Sequence, residues 1–105
     1  MKYFLIKYQF KDGDPEEWSD EIKRFIAAVE GDPDLNGQIS YRCMKADNAS
    51  GSYFHLAATA SDEAAKALQS RDFFQRYTQE SRRVSGGSLE VLPLTMSPRR
   101  LFAPS

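Results

Sequence analysis

The chain has 105 residues, 41% of them hydrophobic and 28% charged, with 15 Asp plus Glu against 14 Lys plus Arg for a net charge of -1. This length makes one domain that buries about two-thirds of its unfolded surface, so a large internal site is hard to enclose in one copy. The apolar content excludes a disordered chain, and no apolar run is long enough for a membrane span. One cysteine and one histidine exclude an internal disulfide and a Cys/His zinc cluster within the chain. A reducing, cytoplasmic setting fits that usage. The opening MKYFLIKYQF has a lysine inside its apolar stretch and no small-residue cleavage site, so it reads as a strand and not as a signal peptide.

Residues 3 to 10 alternate with period two, placing Phe4, Ile6, Tyr8 and Phe10 on one face and Tyr3, Leu5, Lys7 and Gln9 on the other. Asp14, Pro15 and Glu17 are start signals for a first helix, whose inward stripe is Trp18, Ile22, Phe25, Ile26 and Val29. Gly31 to Gly37 is a loop by its turn residues. A second strand over 38 to 46 puts Ile39, Tyr41 and Cys43 on one face and Ser40, Arg42 and Met44 on the other. Asp47 to Ser52 is a polar hairpin loop, in which Asn48-Ala49-Ser50 matches a glycosylation pattern by chance.

A third strand spans Tyr53 to Ala60. Its more apolar residues, Phe54, Leu56 and Ala58, are expected against the core, with Tyr53, His55, Ala57 and Thr59 on the reverse face. Ser61 caps a second helix with Asp62 and Glu63 in its first turn. Ser70-Arg71-Asp72 marks a bend or restart before Phe74, Tyr77 and Val84, and Gly86-Gly87 stops the helix. Leu89 to Met96 is a last strand, which Pro93 assigns to a sheet edge. Residues 97 to 105 form a tail or arm beyond a domain of residues 1 to 96.

The order strand, helix, strand, strand, helix, strand is that of an α+β, ferredoxin-like βαββαβ domain: a four-stranded antiparallel sheet with two helices on one face. No element remains to cover Tyr3, Leu5, Met44 and Tyr53 on the other face. An uncovered apolar sheet face is usually an interface, so a homodimer is expected, with a cavity between the two sheets.

The first strand running into Lys11-Asp12-Gly13, the third running into Ala60-Ser61-Asp62-Glu63-Ala64, and Leu68-Gln69-Ser70-Arg71-Asp72-Phe73 resemble the antibiotic biosynthesis monooxygenase family of dimeric α+β barrels over roughly residues 2 to 96. The resemblance implies oxidation of a phenolic or polycyclic aromatic substrate by dioxygen in a cavity of the dimer, without metal or flavin cofactor. The alternative is a non-catalytic homodimer of the same fold that binds or senses a small molecule. Family members often carry a Glu and a Trp on the third strand, where this chain has Ala57 and Thr59. No histidine falls between Lys66 and Asp72, and the sole Trp lies on the first helix, which argues against haem degradation.

With the mixed strand faces lining that cavity, His55 and Arg42 are the candidate catalytic pair: an imidazole to take a phenol proton and a cation to stabilise the anion. Tyr3, Lys7, Gln9, Ser40, Tyr53 and Thr59 are candidate substrate contacts. The structural alternatives are a hydrogen-bonded core histidine, ion pairs for Arg42 and Lys7, and interface aromatics for Tyr3 and Tyr53. Cys43 reads as a buried thiol. No residues stand at metal-ligand spacing.

Residues 11 to 36 carry nine acids against three bases, and residues 71 to 105 six bases against three acids. This bipolar charge lacks the basic face with interleaved aromatics that binds nucleic acid. It is either a solvated surface or a partner surface.

Overall fold

The alternating first strand and the two apolar helical stripes assemble as their periods require. A computed structural model describes residues 1–48 and 51–95; the middle of the hairpin loop and the tail from 97 to 105 lie outside the described residues. The elements are β1 (Lys2–Gln9), α1 (Pro15–Glu30), β2 (Ile39–Lys45), β3 (Ser52–Thr59), α2 (Asp62–Gln69), α3 (Asp72–Ser85) and β4 (Glu90–Leu94). The sheet is antiparallel throughout, in the order β2-β3-β1-β4, which is the ferredoxin-like arrangement, and Pro93 lies on an edge strand as its missing N–H demands.

Asp14 caps α1 by accepting a hydrogen bond from the Glu16 amide, with Pro15 pre-setting the first helical turn. Ser61 caps α2 through the Ala64 amide. The second helical region is two helices. At the junction Arg71 donates to Asp32 Oδ2 at 2.7 Å and to Asp34 Oδ2 at 2.9 Å, so the loop after α1 is clamped to the restart. α3 ends at Gly86, whose φ of 57° is left-handed, and a Cβ there would stand 3.0 Å from the Lys11 side chain.

Trp18, Ile22, Phe25 and Val29 of α1 meet Tyr77 and Val84 of α3 over the sheet residue Tyr8. Phe25 and Tyr77 stack at 4.0 Å, and Trp18 stacks on Tyr77 at 5.5 Å. The acidic and basic segments face each other within the molecule: Glu21 pairs with Arg76 at 3.1 Å, Asp12 with Arg83 at 3.6 Å, and Asp32 with Arg71. Much of the bipolar charge is therefore used internally.

One expectation is overturned. Register places Ala57 between Phe4 and Tyr41, and His55 between Ile6 and Cys43, so Tyr53, His55, Ala57 and Thr59 face the helices. Phe54, Leu56 and Ala58 lie on the other face with Tyr3, Leu5 and Met44. The faces of β3 are thus the reverse of those expected from hydrophobicity, because the helix-facing side is built from polar-tipped aromatics that need a hydrogen-bonding centre.

Candidate active site

The sequence-predicted residues divide between two faces. Tyr3, Lys7, Gln9, Ser40 and Arg42 lie on the open side of the sheet, where Lys7 Nζ stands 3.9 Å from Glu90. Tyr53, His55 and Thr59 lie beneath the helices. His55 and Arg42 are therefore not brought together: alternate positions on adjacent strands point to opposite faces.

His55 is 1% exposed and sits at the centre of a hydrogen-bonded cluster. Its Nε2 is 2.9 Å from the Tyr8 hydroxyl, which also accepts a 2.7 Å bond from the Trp18 indole N–H. Its Nδ1 is 2.9 Å from the Tyr41 hydroxyl and 3.2 Å from that of Tyr77, and the two phenols are 3.1 Å apart. Burial pulls the imidazole down from 6.5 to about 4, so it is neutral at pH 7. Burial likewise raises the phenols of Tyr8, Tyr41 and Tyr77, which stay protonated.

The two tautomers differ in which phenol keeps a spare hydrogen. With the proton on Nδ1, Tyr8 accepts from Trp18 and donates to Nε2, and Nδ1–H donates to the Tyr41–Tyr77 pair. With the proton on Nε2, the Tyr8 hydroxyl accepts twice and its own hydrogen has no acceptor in the cluster. Either way one phenolic hydrogen has no acceptor inside the cluster, on Tyr8 with the proton on Nε2 and on Tyr41 or Tyr77 with the proton on Nδ1.

Both tyrosines line a cleft of about 300 Å³ between the sheet and the α2–α3 pair. Its walls are largely apolar: Phe4, Ile6 and Ile39 on the sheet, Leu68 and Phe74 on the helices, and Val91 on β4. Among the described residues no charged side chain lines it. Ala57 and Thr59 form part of the floor, and Thr59 is 5% exposed. The cleft lies within one copy, on the helix side of the sheet, and not against the uncovered face where a cavity was expected.

Sequence reasoning missed Tyr8, Trp18, Tyr41 and Tyr77 as functional candidates. The available signal was that four inward aromatic positions carry polar tips, which require a shared partner. Cys43 is half-buried beside this cluster, and burial pushes its thiol up to about 12, so it is held as the neutral thiol. Among the described residues no group of three or more His, Cys, Asp or Glu stands close enough to hold a metal ion, and no helix is long and apolar enough to cross a membrane.

No family model and no curated protein matches the chain. Solved structures do. SnoaB, a cofactor-independent oxygenase from Streptomyces nogalater, superposes with a TM-score of 0.73 at 17% identity over 95% of both chains. A conserved protein from Methanosarcina mazei gives 0.76 at 14% identity over 91% of this chain and 92% of that one. A structure described as an antibiotic biosynthesis monooxygenase gives 0.71 at 12% identity, over 93% of this chain and 100% of that one. The chain thus has the ferredoxin-like fold of antibiotic biosynthesis monooxygenase-like proteins.

Proposed function

We propose that this protein is a member of the monooxygenase-like group that binds an aromatic phenol or quinol in the cleft between sheet and α2–α3 and oxidises it with dioxygen. The observation that carries this reading is the pair of hydrogen-bonded phenols, Tyr41 and Tyr77, at the wall of an apolar cleft with His55 behind them; in the Nδ1–H tautomer one of their hydrogens is free for a ligand. A hydroxyl held by a buried imidazole is a preorganised donor for a substrate oxygen that becomes anionic. The fold shared with a cofactor-independent oxygenase supports the same chemistry.

The substrate supplies the electrons. As the phenol gives up its proton its ring passes electron density to dioxygen, a carbon–oxygen bond forms, and that proton ends on the outer peroxide oxygen; loss of the carbon-bound proton from the resulting hydroperoxide then breaks the oxygen–oxygen bond. One oxygen atom becomes a carbonyl and the other leaves as water. In this scheme His55 is a positioning residue. An imidazole at about 4 is mismatched by about six pKa units to a phenol near 10, and its nitrogens are taken up by the hydroxyls of Tyr8, Tyr41 and Tyr77.

The test is oxygen uptake by the purified protein with a panel of polycyclic phenols, with isotope-labelled dioxygen to follow the oxygen atom into product. Tyr41→Phe combined with Tyr77→Phe should lower kcat/KM by about a hundredfold, as loss of an oxyanion donor does elsewhere, with the circular dichroism spectrum retained. Oxidation no faster than without protein refutes the enzymatic reading, and an unchanged rate in the double variant refutes the role of the two phenols. The absence of a charged side chain in the cleft lining favours one second reading, a binding protein without turnover, which would show saturable binding and no oxygen uptake.

A second copy is the proposed cover for the open sheet face. Leu5 pairs with Leu56 on one side and Leu92 on the other, and Met44 with Phe54, so each strand contributes apolar side chains to this face, with Arg42 and Lys7 beside them. Leu92 and Leu94 are 40% and 44% exposed in one copy. Sedimentation should give a dimer at micromolar concentration, and Leu5→Lys should give a monomer. A wild-type monomer would refute this assembly.

A further inference from the structure

Four of the chain's five tyrosines and its single tryptophan form one series of neighbouring rings that runs from the cleft to a second opening. That opening is a groove of about 450 Å³ between the start of α1 and the β2–β3 hairpin, with Trp18, Cys43 and Tyr53 in its lining. From the cleft outward, Tyr77 stacks on Trp18 with ring centres 5.5 Å apart, Trp18 meets Tyr8 edge-on at 6.3 Å, and Tyr8 stacks on Tyr53 at 5.2 Å. Phenylalanine would fill the same space with no polar group to satisfy. These positions carry instead the two residue types whose rings give up an electron most readily.

A phenol that loses an electron becomes strongly acidic and must lose its proton too, so a buried relay needs a proton path beside the electron path. His55 supplies one. Its Nε2 stands 2.9 Å from the Tyr8 hydroxyl, and its Nδ1 stands 2.9 Å from that of Tyr41 and 3.2 Å from that of Tyr77. The two tautomers make the same number of hydrogen bonds within the cluster and differ only in which end keeps the spare hydrogen. Taking a proton at one nitrogen and giving one at the other therefore leaves the imidazole neutral and costs no bond.

We propose that Tyr41, Tyr77, Trp18, Tyr8 and Tyr53, with His55 among them, form a proton-coupled relay that carries a one-electron oxidation between the cleft and the outer groove. Its oxidant in the cleft is an oxygen-centred radical of the peroxyl class, a by-product of dioxygen chemistry beside an oxidisable ring. That use rests on the reading of the cleft as a site of dioxygen chemistry; the relay itself does not. The peroxyl takes a hydrogen atom from the Tyr77 hydroxyl and becomes a hydroperoxide. Tyr8 then returns an electron to Tyr77 through Trp18, while Tyr77 takes the proton of His55 Nδ1 and Nε2 takes the proton of Tyr8. The radical now on Tyr8 takes an electron from Tyr53, whose proton goes to water in the groove. A proton from water at the cleft mouth restores Tyr8 by way of the phenol pair and His55. A soluble thiol gives Tyr53 a hydrogen atom and leaves as a thiyl radical.

The experiment uses the full chain with no substrate and no oxygen, and it drives the relay inward. A tris-bipyridine ruthenium photo-oxidant, too large to enter the cleft, is flashed with persulfate as its electron sink. The samples are freeze-quenched, and each tyrosyl radical is assigned by electron paramagnetic resonance from the signal that its Tyr→Phe replacement removes. All proteins carry Tyr3→Phe and Cys43→Ser, so that neither the tyrosine on the open sheet face nor the thiol of the groove competes. Hydrogen bonds to His55 make the inner phenols easier to oxidise than Tyr53, so the radical should come to rest on Tyr8 and the Tyr41–Tyr77 pair, and should arrive more slowly in deuterated water. Tyr53→Phe should abolish the inner signal. His55→Gln, which keeps a donor and an acceptor but cannot exchange protons between them, should abolish the signal on the pair with the circular dichroism spectrum retained. A radical that stays on Tyr53, an inner signal that persists in Tyr53→Phe, a pair signal that persists in His55→Gln, or arrival unaffected by deuterated water overturns the relay. None of these bears on the oxygenase reading, which oxygen uptake tests separately.

Discussion

Acidification is the sharpest perturbation available, because the chain has a single histidine and that histidine is buried neutral. Its folded-state pKa is about 4 against 6.5 when exposed. In the unfolded chain the imidazole gains its proton as pH falls through 6.5, whereas in the folded protein it gains it only near 4. Between those values the unfolded state binds more protons, so stability rises with pH. The contribution is fully present above pH 6.5 and is lost progressively as pH falls toward 4. Linkage over this interval gives a loss of about 2.5 kcal/mol at pH 4.5 relative to pH 7, a substantial part of the 5 to 15 kcal/mol typical of a domain. Urea denaturation at half-unit steps from pH 7 to 4.5, on the wild type and on His55→Gln, measures it. The wild type should lose stability with a slope approaching one proton, and the variant should be nearly flat from pH 6.5 to 5. A histidine ring signal titrating near 6.5 in the folded protein, or equal slopes for the two proteins, would refute the buried neutral imidazole.

Tyr8→Phe removes the acceptor of the Trp18 indole N–H and the hydrogen-bond partner of His55 Nε2. Two buried groups lose partners, at about 1 to 3 kcal/mol each, which denaturant titration and a change in Trp18 emission should both register. Cys43 should alkylate slowly with iodoacetamide at pH 8, since its thiol is pushed up to about 12, and at the rate of an ordinary thiol once the chain is unfolded; fast labelling of the native protein, read by mass spectrometry, would contradict its burial. Arg71→Gln unclamps Asp32 and Asp34 from the α2–α3 junction and should lower the melting temperature, by an amount that narrows as salt rises; a difference independent of salt would point to lost packing instead.

Local signals reached most of the fold. Asp14 and Pro15 start α1 where their chemistry predicts, the Ser70-Arg71-Asp72 break separates two helices, and Pro93 sits on an edge strand. The register of β3 was not reachable by the same rule. Phe54, Leu56 and Ala58 are the more apolar set, and alternation assigns the more apolar set to the core. That rule assumes that the opposite face meets water. Here the opposite face of β3 meets an apolar row instead, with Leu5, Leu56 and Leu92 side by side on three strands, so hydrophobicity along β3 does not distinguish the two sides.

Hydrogen-bond accounting does distinguish them. Tyr8, Trp18, Tyr41 and Tyr77 all point inward by their own spacings, and together they bring four buried donors. A core completed by Phe54, Leu56 and Ala58 would give the side chains of these four no further polar partner. Turning β3 over brings in His55, whose one lone pair and one N–H fit between Tyr8 and the Tyr41–Tyr77 pair. Unpaired buried donors cost about 1 to 3 kcal/mol each, comparable to the burial of one large apolar side chain. The strand is therefore phased by satisfying polar groups, and the same necessity that fixes its register places His55 behind the cleft and Thr59 in its floor. His55→Leu tests the point at the level of structure. If pairing sets the phase, the variant should lose protection from hydrogen exchange along β3 more than along β1 or β2. Uniform loss across the sheet would mean that hydrophobic packing alone holds the strand in place.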